Sequence, residues 1–271
     1  MTLVLGILGI LAALLILLWG FLILPRVSGG ADMELLRVNY AHRGLWNDRF
    51  PENSLSAFAM AARAGCGIEL DIQLSKDRRV MVFHDGDLKR MCGVNKKVSE
   101  LTCAELKQLR LLGTGETIPT LSEVLALING RVPLMIEIKG ERPDPALCVR
   151  TVRMLDAYNG PFCIESFSPL ILRWFKHYRP SYARGQLVTK VTHHDRPGSR
   201  AVNFLLSHML LNVLSRPDFI SINGRFRKRP VFLLCTKVFH TPGFVWTVQT
   251  KKDLIGCQKQ GLNGIFEKFL P

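Results

Sequence analysis

Two apolar segments of the sequence carry charged side chains at alternate positions. In one, IELDI, these are Glu69 and Asp71, and in the other, LMIEIK, they are Glu137 and Lys139. Because side chains alternate between the two faces of a β-strand, the members of each pair share one face. Neighbouring carboxylates repel each other and resist burial, and a divalent cation with hard oxygen ligands would relieve both effects. The spacing therefore indicates a cation site, unless these residues are exposed strand ends that neutralise nearby basic side chains.

Two histidines stand next to these acids in the order of the chain. His42 closes the strand-like segment before the Glu69 strand, and His84 closes the segment after it. Near a metal, one histidine could supply a proton and the other remove one during phosphoryl chemistry. Arg43 and Lys139 offer fixed positive charge for phosphate oxygens. A single histidine at a strand end is usually an ordinary surface residue, but two that frame a carboxylate strand favour a catalytic role.

The elements that must position these side chains alternate between strand-like and helix-like patterns. Capping boxes, Thr102 with Glu105 and Thr120 with Glu123, mark the starts of two helices. Such alternation is typical of an α/β fold, the (β/α)8 or TIM barrel, in which the carboxyl ends of the strands form the active-site mouth. We predict this barrel, with a small insertion after the second strand that contains the extended run 80–83. The eight predicted barrel strands are 38–42, 68–74, 132–138, 162–165, 182–188, 219–222, 244–248 and 264–266.

An apolar run from Leu3 to Leu24 contains no charged side chain. At about 1.5 Å per residue it reaches roughly 33 Å, enough to cross the hydrocarbon core of a bilayer. A cleaved signal peptide is the alternative, but no Lys or Arg precedes the run and the run exceeds the usual apolar region of a signal. We predict three parts: a single-pass transmembrane anchor at 1–25, a linker at 26–37 and the barrel at 38–271, with its insertion at about 84–120.

Composition and charge narrow the class of protein further. The sequence contains 36 Lys and Arg and 22 Asp and Glu, which gives a net charge of +14. Apolar residues make up 48% of it. A chain this apolar is not disordered. Positive charge after the apolar run favours a cytoplasmic barrel beside an anionic leaflet, and seven scattered cysteines suit a reducing compartment. No nucleic-acid partner is expected, because the charge comes without a helix-turn-helix, zinc-finger or aromatic-stacking signature.

A set of motifs in the sequence occurs in the same order in a known family. From about residue 40 to residue 271 the chain resembles the glycerophosphodiester phosphodiesterases, in their membrane-anchored bacterial form. Each motif alone is weak, whereas the set is highly specific. The motifs are AHRG at 41–44, PENSLSAF at 51–58, GIELDI at 67–72, VFHD at 82–85, IPTL at 118–121, IEIK at 136–139, SFSP at 166–169 and VWTV at 245–248.

The resemblance implies a TIM barrel that hydrolyses glycerol-linked phosphodiesters to glycerol 3-phosphate and an alcohol. By position, Glu69, Asp71 and Glu137 correspond to ligands of a divalent cation, Ca²⁺ or Mg²⁺. His42 and His84 correspond to the acid/base pair, although the residue matching His84 contacts the metal in some accounts of the family. The substrate-binding positions that the resemblance implies are Arg43, Asn53, Lys139, Phe167 and Trp246. Attack by water or by a hydroxyl of the substrate stays open, as does the oligomeric state.

Four segments depart from the family pattern or have no assigned role. Lys268 stands about where the last strand of the family usually carries an acid. Residues 201–215 are unusually apolar, and they form either a buried barrel helix or a face that rests on the bilayer. The basic run 225–229 is either solvated or in contact with lipid headgroups. His-His-Asp at 193–195 resembles a metal site but lies in a polar stretch typical of a solvated loop.

Three functions are compatible with the sequence. The first is hydrolysis of soluble glycerophosphodiesters. The second keeps the fold and the cation but acts on membrane lysolipids, as a lysophospholipase D. The third is an inactive barrel that binds lipid or nucleic acid. The intact acids and histidines favour an enzyme, because a binding module has no use for such a set.

Overall fold

The computed structural model describes residues 2–27, 30–189 and 200–271, and this part of the chain contains nine strands. Their bounds follow the predicted segments closely, except that the first strand is shorter at both ends. It ends early because Arg43 and Gly44 adopt φ angles of 60° and 84° and turn the chain away. The strands are β1 (Tyr40–Ala41), β2 (Gly67–Leu74), β3 (Val80–Val82), β4 (Leu134–Ile138), β5 (Phe162–Ser166), β6 (Arg184–Val188), β7 (Phe219–Asn223), β8 (Gly243–Val248) and β9 (Asn263–Phe266).

Eight of these strands form a closed parallel barrel. They pair in the order β1, β2, β4, β5, β6, β7, β8 and β9, and β1 closes the ring because it pairs with both β2 and β9. β3 lies outside the ring and pairs antiparallel with the end of β2. The predicted TIM barrel is therefore confirmed.

Helices cover the outside of the barrel and follow its strands in turn. The predicted capping boxes of Thr102 and Thr120 are both present. The helices are α1 (Thr2–Ile23), α2 (Leu55–Arg63), α3 (Lys89–Cys92), α4 (Cys103–Leu106), α5 (Leu121–Ile128), α6 (Pro145–Asp156), α7 (Pro169–Tyr178), α8 (Arg200–Ser207), α9 (Asn212–Ser215), α10 (Pro230–Leu233) and α11 (Lys251–Gln258). A π-helical turn (Leu234–Val238) continues α10, and 3₁₀ turns occupy Val98–Glu100, Leu111–Gly113 and Gly224–Phe226.

The inside of the barrel is apolar at one end and acidic at the other. Met135, Cys163 and Phe219 belong to an apolar cluster that fills the interior near the start of the strands. Two residues further along the same strands stand Glu137, Glu165 and Ser221, all of them buried. Because side chains alternate along a strand, these polar residues face the same interior at the carboxyl ends of the strands. The fold thus delivers acids to the mouth of the barrel.

Residues between β2 and α5 form a small substructure with a core of its own. It consists of β3, α3, α4 and two of the 3₁₀ turns. The buried apolar residues at its centre are Met81, Phe83, Leu88, Met91, Val98, Leu101, Leu106, Leu111 and Ile118. This substructure carries the turn that ends in His84.

The segment between α1 and β1 follows the surface of the barrel. The amide of Arg26 donates to the carbonyl of Pro217 at 3.0 Å. Leu36 is buried and its carbonyl accepts from the hydroxyl of Tyr40 at 2.9 Å. Contacts of Arg26 and Leu36 therefore tie the predicted linker to the barrel at two points, while Val27 and Leu35 are exposed. The His-His-Asp stretch at 193–195 lies outside the described residues.

A glycine inside the barrel wall gives a test of this packing. A Cβ atom on Gly185 would lie 2.1 Å from the ring of Phe219, while one on Gly256 in α11 would meet nothing within 4 Å. We expect Gly185→Ala to destabilise the protein by about 1–3 kcal/mol or more. Gly256→Ala, the matched control, should be neutral or stabilising by up to about 1 kcal/mol because alanine favours helix. Thermal unfolding of the detergent-solubilised chain measures both, and equal melting temperatures for the two variants would contradict the packing.

Candidate active site

Three buried carboxylates meet at the mouth of the barrel. Asp71 and Glu137 are register partners on β2 and β4, and Glu69 precedes Asp71 on the same face of β2. One carboxylate oxygen from each residue lies within 4.8 Å of the others. All three side chains are less than a tenth exposed. The parallel register of the strands therefore assembles the predicted acids into one cluster.

The charges in this cluster are strongly perturbed by their surroundings. Burial, reinforced by the charge of Asp71, raises the pKa of Glu69 well above its usual range. Burial likewise raises the pKa of Glu137 to about 7. Burial opposes ionisation of Asp71 too, but the charge of Lys139 and those of His84 and Arg43 outweigh it and hold the pKa of Asp71 far below its usual value. The cluster thus holds one firmly ionised carboxylate next to two that resist ionisation.

The three carboxylates of the cluster contact nitrogen groups of Lys139, Arg43 and Asn53. The ammonium of Lys139 lies 2.7 Å from Asp71 Oδ1 and 2.9 Å from Glu137 Oε1. The backbone amide of Arg43 donates to Glu69 Oε2 at 2.9 Å, and the side-chain amide of Asn53 donates to Asp71 Oδ2 at 2.9 Å. Arg43 and Asn53 both adopt positive φ angles, of 60° and 55°. These turns direct their donors at the acids.

The donor set fits a hard divalent cation. All candidate ligand atoms of Glu69, Asp71 and Glu137 are carboxylate oxygens, the donors that Ca²⁺ and Mg²⁺ prefer. Burial makes the negative charges of Glu69 and Glu137 costly, and a cation would remove that cost. The buried Oδ1 of Asn53 has no hydrogen-bond donor among the described residues. Of the chain that the structure describes, these three acids form the one cluster with metal-ligand spacing.

His42 is paired with an acid that the sequence analysis missed. Its Nδ1 lies 3.0 Å from Glu267 Oε2, and Gln249 donates to the other oxygen of Glu267 at 3.0 Å. The hydrogen bond with His42 is the main reason that the pKa of Glu267 falls to about 2. Lys268, which we expected in the place of the family's acid, instead lies over the ring of Trp46 at 5.2 Å. A carboxylate therefore stands here after all, one position earlier in the chain.

His84 is held by a chain of ion pairs that runs from the insertion to Arg43. Its Nδ1 lies 2.7 Å from Asp85 Oδ1, and Arg90 donates to both oxygens of Asp85. Arg90 also donates to both oxygens of Glu52, which accepts from Arg43 at 2.7 Å. Burial lowers the pKa of His84. Burial resists the ionisation of Glu52, but its two arginine partners lower the pKa of that carboxyl.

A cavity of about 310 Å³ opens above these groups. Seven of the ten predicted site residues line it: His42, Arg43, Glu69, His84, Glu137, Phe167 and Trp246. The rings of Phe167 and Trp246 meet edge to face at 5.7 Å and form an aromatic wall. Asp71, Asn53 and Lys139 do not line the cavity, but each is bonded to a member of the acid cluster or lies within it.

Glu165 lines the same cavity and was also missed by the sequence analysis. It is the register partner of Glu137, and the hydroxyl of Ser221 donates to its Oε2 at 2.6 Å. Burial raises the pKa of Glu165 to about 8, against the effect of the Ser221 hydrogen bond. The signal was present in the segment FCIES, where an acid ends a strand as Glu137 does.

Comparison with known proteins assigns this site to a family. The sequence profile of the glycerophosphoryl diester phosphodiesterase family matches residues 42–269, which include every residue of the acid cluster and both histidines. The chain belongs to this family. A glycerophosphodiester phosphodiesterase of Caldanaerobacter subterraneus is 32% identical over 237 residues, which cover 83% of this chain and 91% of the relative. The predictions of the family and of a phosphoric diester hydrolase are confirmed.

Two further relatives bear on the fold and on the substrate class. The crystal structure of a glycerophosphodiester phosphodiesterase from Thermotoga maritima shares 27% sequence identity at a TM-score of 0.64 and covers 85% of this chain and 94% of its own. The lysophospholipase D GDPD1 of Rattus norvegicus is 34% identical over 119 residues, which cover 39% of this chain and 37% of the relative. The proteins similar to this chain thus include one named a glycerophosphodiester phosphodiesterase and one named a lysophospholipase D.

The contact between His42 and Glu267 predicts an effect on turnover in this phosphodiesterase. An acceptor at Nδ1 fixes the tautomer of the ring and leaves Nε2 free to exchange a proton, the role that the resemblance to the family implies for His42. We expect Glu267→Gln to lower kcat by roughly 10²-fold with little change in KM, because proton transfer by a positioned side chain contributes on that order. Lys268→Ala is the matched control and should retain the turnover of the parent. A Glu267→Gln enzyme with parental kcat would show that the contact does not position His42.

Glu165 predicts a dependence of stability on pH in the cation-free protein. The folded protein keeps this proton up to about pH 8, whereas the unfolded chain releases it near the ordinary value of 4.5. The folded state therefore binds more protons between these values, and rising pH favours unfolding. We expect Glu165→Gln to gain melting temperature over the parent from pH 5 to pH 8, by roughly 2–4 °C for each kcal/mol. The exposed Glu34 provides the control, Glu34→Gln, whose curve should run parallel to the parent.

Proposed function

We propose that this protein hydrolyses glycerophosphodiesters to glycerol 3-phosphate and an alcohol, with the help of a divalent cation. The observation that carries the proposal is a cluster of three carboxylates, two of which line one cavity together with both histidines, in a chain of this family. Glu69, Asp71 and Glu137 would hold the cation, Ca²⁺ or Mg²⁺. When bound, the cation supplies positive charge that stabilises the phosphate as negative charge develops on it.

The side chains around the cavity divide the remaining tasks. Arg43 lines the cavity and offers its guanidinium to a phosphate oxygen, a geometry that arginine favours. Lys139 does not line the cavity, and its ammonium neutralises Asp71 and Glu137. The aromatic wall of Phe167 and Trp246 would pack against the glycerol carbons.

The two histidines are suited to different halves of the proton transfer. Burial lowers the pKa of His84 and favours the neutral ring, the form that accepts a proton from the attacking oxygen. The Nδ1 atom of His42 contacts the carboxylate of Glu267, which leaves Nε2 to exchange a proton with the leaving alkoxide. The attacking oxygen is that of water or of a neighbouring hydroxyl of the glycerol moiety.

A lysophospholipase D is the second candidate function. It is favoured by the similarity to the rat lysophospholipase D and by α1, which of the described helices is the one long and apolar enough to cross a membrane. A signal sequence passes the same test of length and composition. We propose that α1 is retained as a single-pass anchor and that the barrel is cytoplasmic, because basic residues follow α1.

An assay of the full chain with several phosphodiesters tests the function. Glycerophosphocholine, glycerophosphoglycerol and lysophosphatidylcholine would be supplied to EDTA-treated protein with and without Ca²⁺ or Mg²⁺. We expect cation-dependent release of glycerol 3-phosphate. Turnover of the lysolipid alone, with lysophosphatidate as product, would replace this function by the second candidate. Undiminished turnover after removal of the cation would contradict the metal assignment.

Glu69→Gln tests the cation site with two independent readouts. We expect turnover to fall by roughly 10²-fold or more, since transition-state charge stabilisation of this kind is worth several kcal/mol. Added cation should raise the melting temperature of the parent but not that of the variant, because the ligand set is incomplete. Glu123→Gln, in the surface capping box of α5, should keep both the turnover and the thermal shift. A cation-dependent shift that survives in Glu69→Gln would contradict the assignment.

A further inference from the structure

Helix α8 has its polar residues inside and several apolar residues outside. Asn203 and Ser207 are buried, whereas Phe204 is 56% exposed and Val202 40% exposed. A barrel helix that faces water shows the reverse pattern, with its apolar stripe on the core. Residues 201–215, which the sequence predicts to form either a buried barrel helix or a face on the bilayer, therefore include exposed apolar side chains.

Helix α1 leaves the barrel beside α9, the helix that follows α8 in the chain, and is fastened there. Ile23 is fully buried and its carbonyl accepts from the side chain of Asn212 at 2.9 Å. Arg216 donates to the carbonyls of Phe21 and Leu24 at 2.9 and 2.7 Å, and its guanidinium lies 4.6 Å from the ring centre of Phe21. A cation at the last carbonyls of a helix satisfies them and complements the helix dipole. The orientation of α1 relative to the barrel is thus set by direct contacts.

The same side of the barrel carries further exposed apolar residues next to the end of α1. The thiol of Cys235 contacts the carbonyl of Ile23 at 3.8 Å, which places the turn after α10 against α1. In that region Val238 is 59% exposed and Leu233 39% exposed. Arg229 joins this region to α8 by a hydrogen bond to the carbonyl of Ser207 at 2.8 Å. We call the exposed residues Val202, Phe204, Leu233 and Val238 the apolar side face.

The segment of the chain that carries the apolar side face has charge of almost one sign. Residues 200–240 contain seven Lys and Arg but a single acid, Asp218. Asp218 is buried and lies 3.5 Å from Arg26 and 3.7 Å from Arg184, so it offers little negative charge to the surface. Anionic phospholipid headgroups attract such a surface. Exposed apolar side chains within a basic border are the pattern of a helix that lies in a membrane interface.

We propose that the apolar side face rests on the membrane that α1 spans, with its basic border on anionic headgroups. The proposal rests on the proposed anchor, because α1 provides the bilayer at this face. Arg229 follows the mouth end of β7, whereas Arg216 precedes the opposite end of that strand. Arg216, which fastens α1, and Arg229, which contacts α8, therefore stand at opposite ends of β7.

Photo-cross-linking of the full chain in vesicles tests this placement. Benzoylphenylalanine would replace Phe204 or Val238 on the apolar side face, and the equally exposed Leu112 or Ile255 as controls. The vesicles would contain phosphatidylcholine and phosphatidylglycerol in equal amounts. We expect lipid adducts, identified by mass spectrometry, to form at positions 204 and 238 at yields several-fold above those at 112 and 255. Vesicles of phosphatidylcholine alone should lower the yield at 204.

A further position separates failure of this inference from failure of the anchor. Benzoylphenylalanine at Leu11, in the middle of α1, reports whether the helix is in the bilayer. Lipid adducts at 11 together with control-level yields at 204 and 238 would overturn the placement of the apolar side face and leave the anchor in place. Absence of adducts at 11 would overturn the anchor and the inference that rests on it. In both cases the phosphodiesterase assay is a separate measurement.

Discussion

The cost of holding several carboxylates inside one barrel governs the arrangement of the mouth. Glu69, Asp71, Glu137 and Glu165 are all nearly inaccessible to water, and burial resists the ionisation of every one. Isolated buried charges of this kind would be very unfavourable. Neighbouring residues offset part of this cost. Lys139 bridges two of the acids, and the backbone amide of Arg43 donates to a third. Part of the cost of burying the charges of Glu69 and Glu137 is left uncompensated. That cost is the chemical reason for assigning a cation to the site.

The fold and the acid cluster could be predicted because both are encoded locally. Alternation along IELDI and along LMIEIK puts the acids of each segment on one face of its strand. In a TIM barrel, residues at the carboxyl ends of both strands that face the interior lie at the same mouth. Register partners such as Asp71 and Glu137 follow from those two facts. The boundaries of the first strand were less predictable, because the positive φ angle of Arg43 ends it and nothing in the residue type demands that conformation.

The partners of the histidines could not be predicted from the sequence. His42 meets Glu267 across 225 positions, and the contact exists because β1 closes the ring against β9. Glu267 and Lys268 follow the end of β9, and it is Glu267 that meets His42, whereas Lys268 lies over the ring of Trp46. The chain of ion pairs through Arg90 and Glu52 joins the insertion to the barrel, and side-chain contacts between separate elements leave no periodic signal.

The seam between the first and last strands has a consequence for the timing of synthesis. The ribosome releases the chain from its amino end, and the strands that carry the acid cluster emerge well before β9. Until β9 is added, β1 has one neighbour in place of two, and His42 has not met its carboxylate. The strands of the acidic centre are therefore synthesised before the residue that pairs with His42. The pairing of His42 is therefore a late event in the growth of the polypeptide, which becomes possible when the ring of strands is joined.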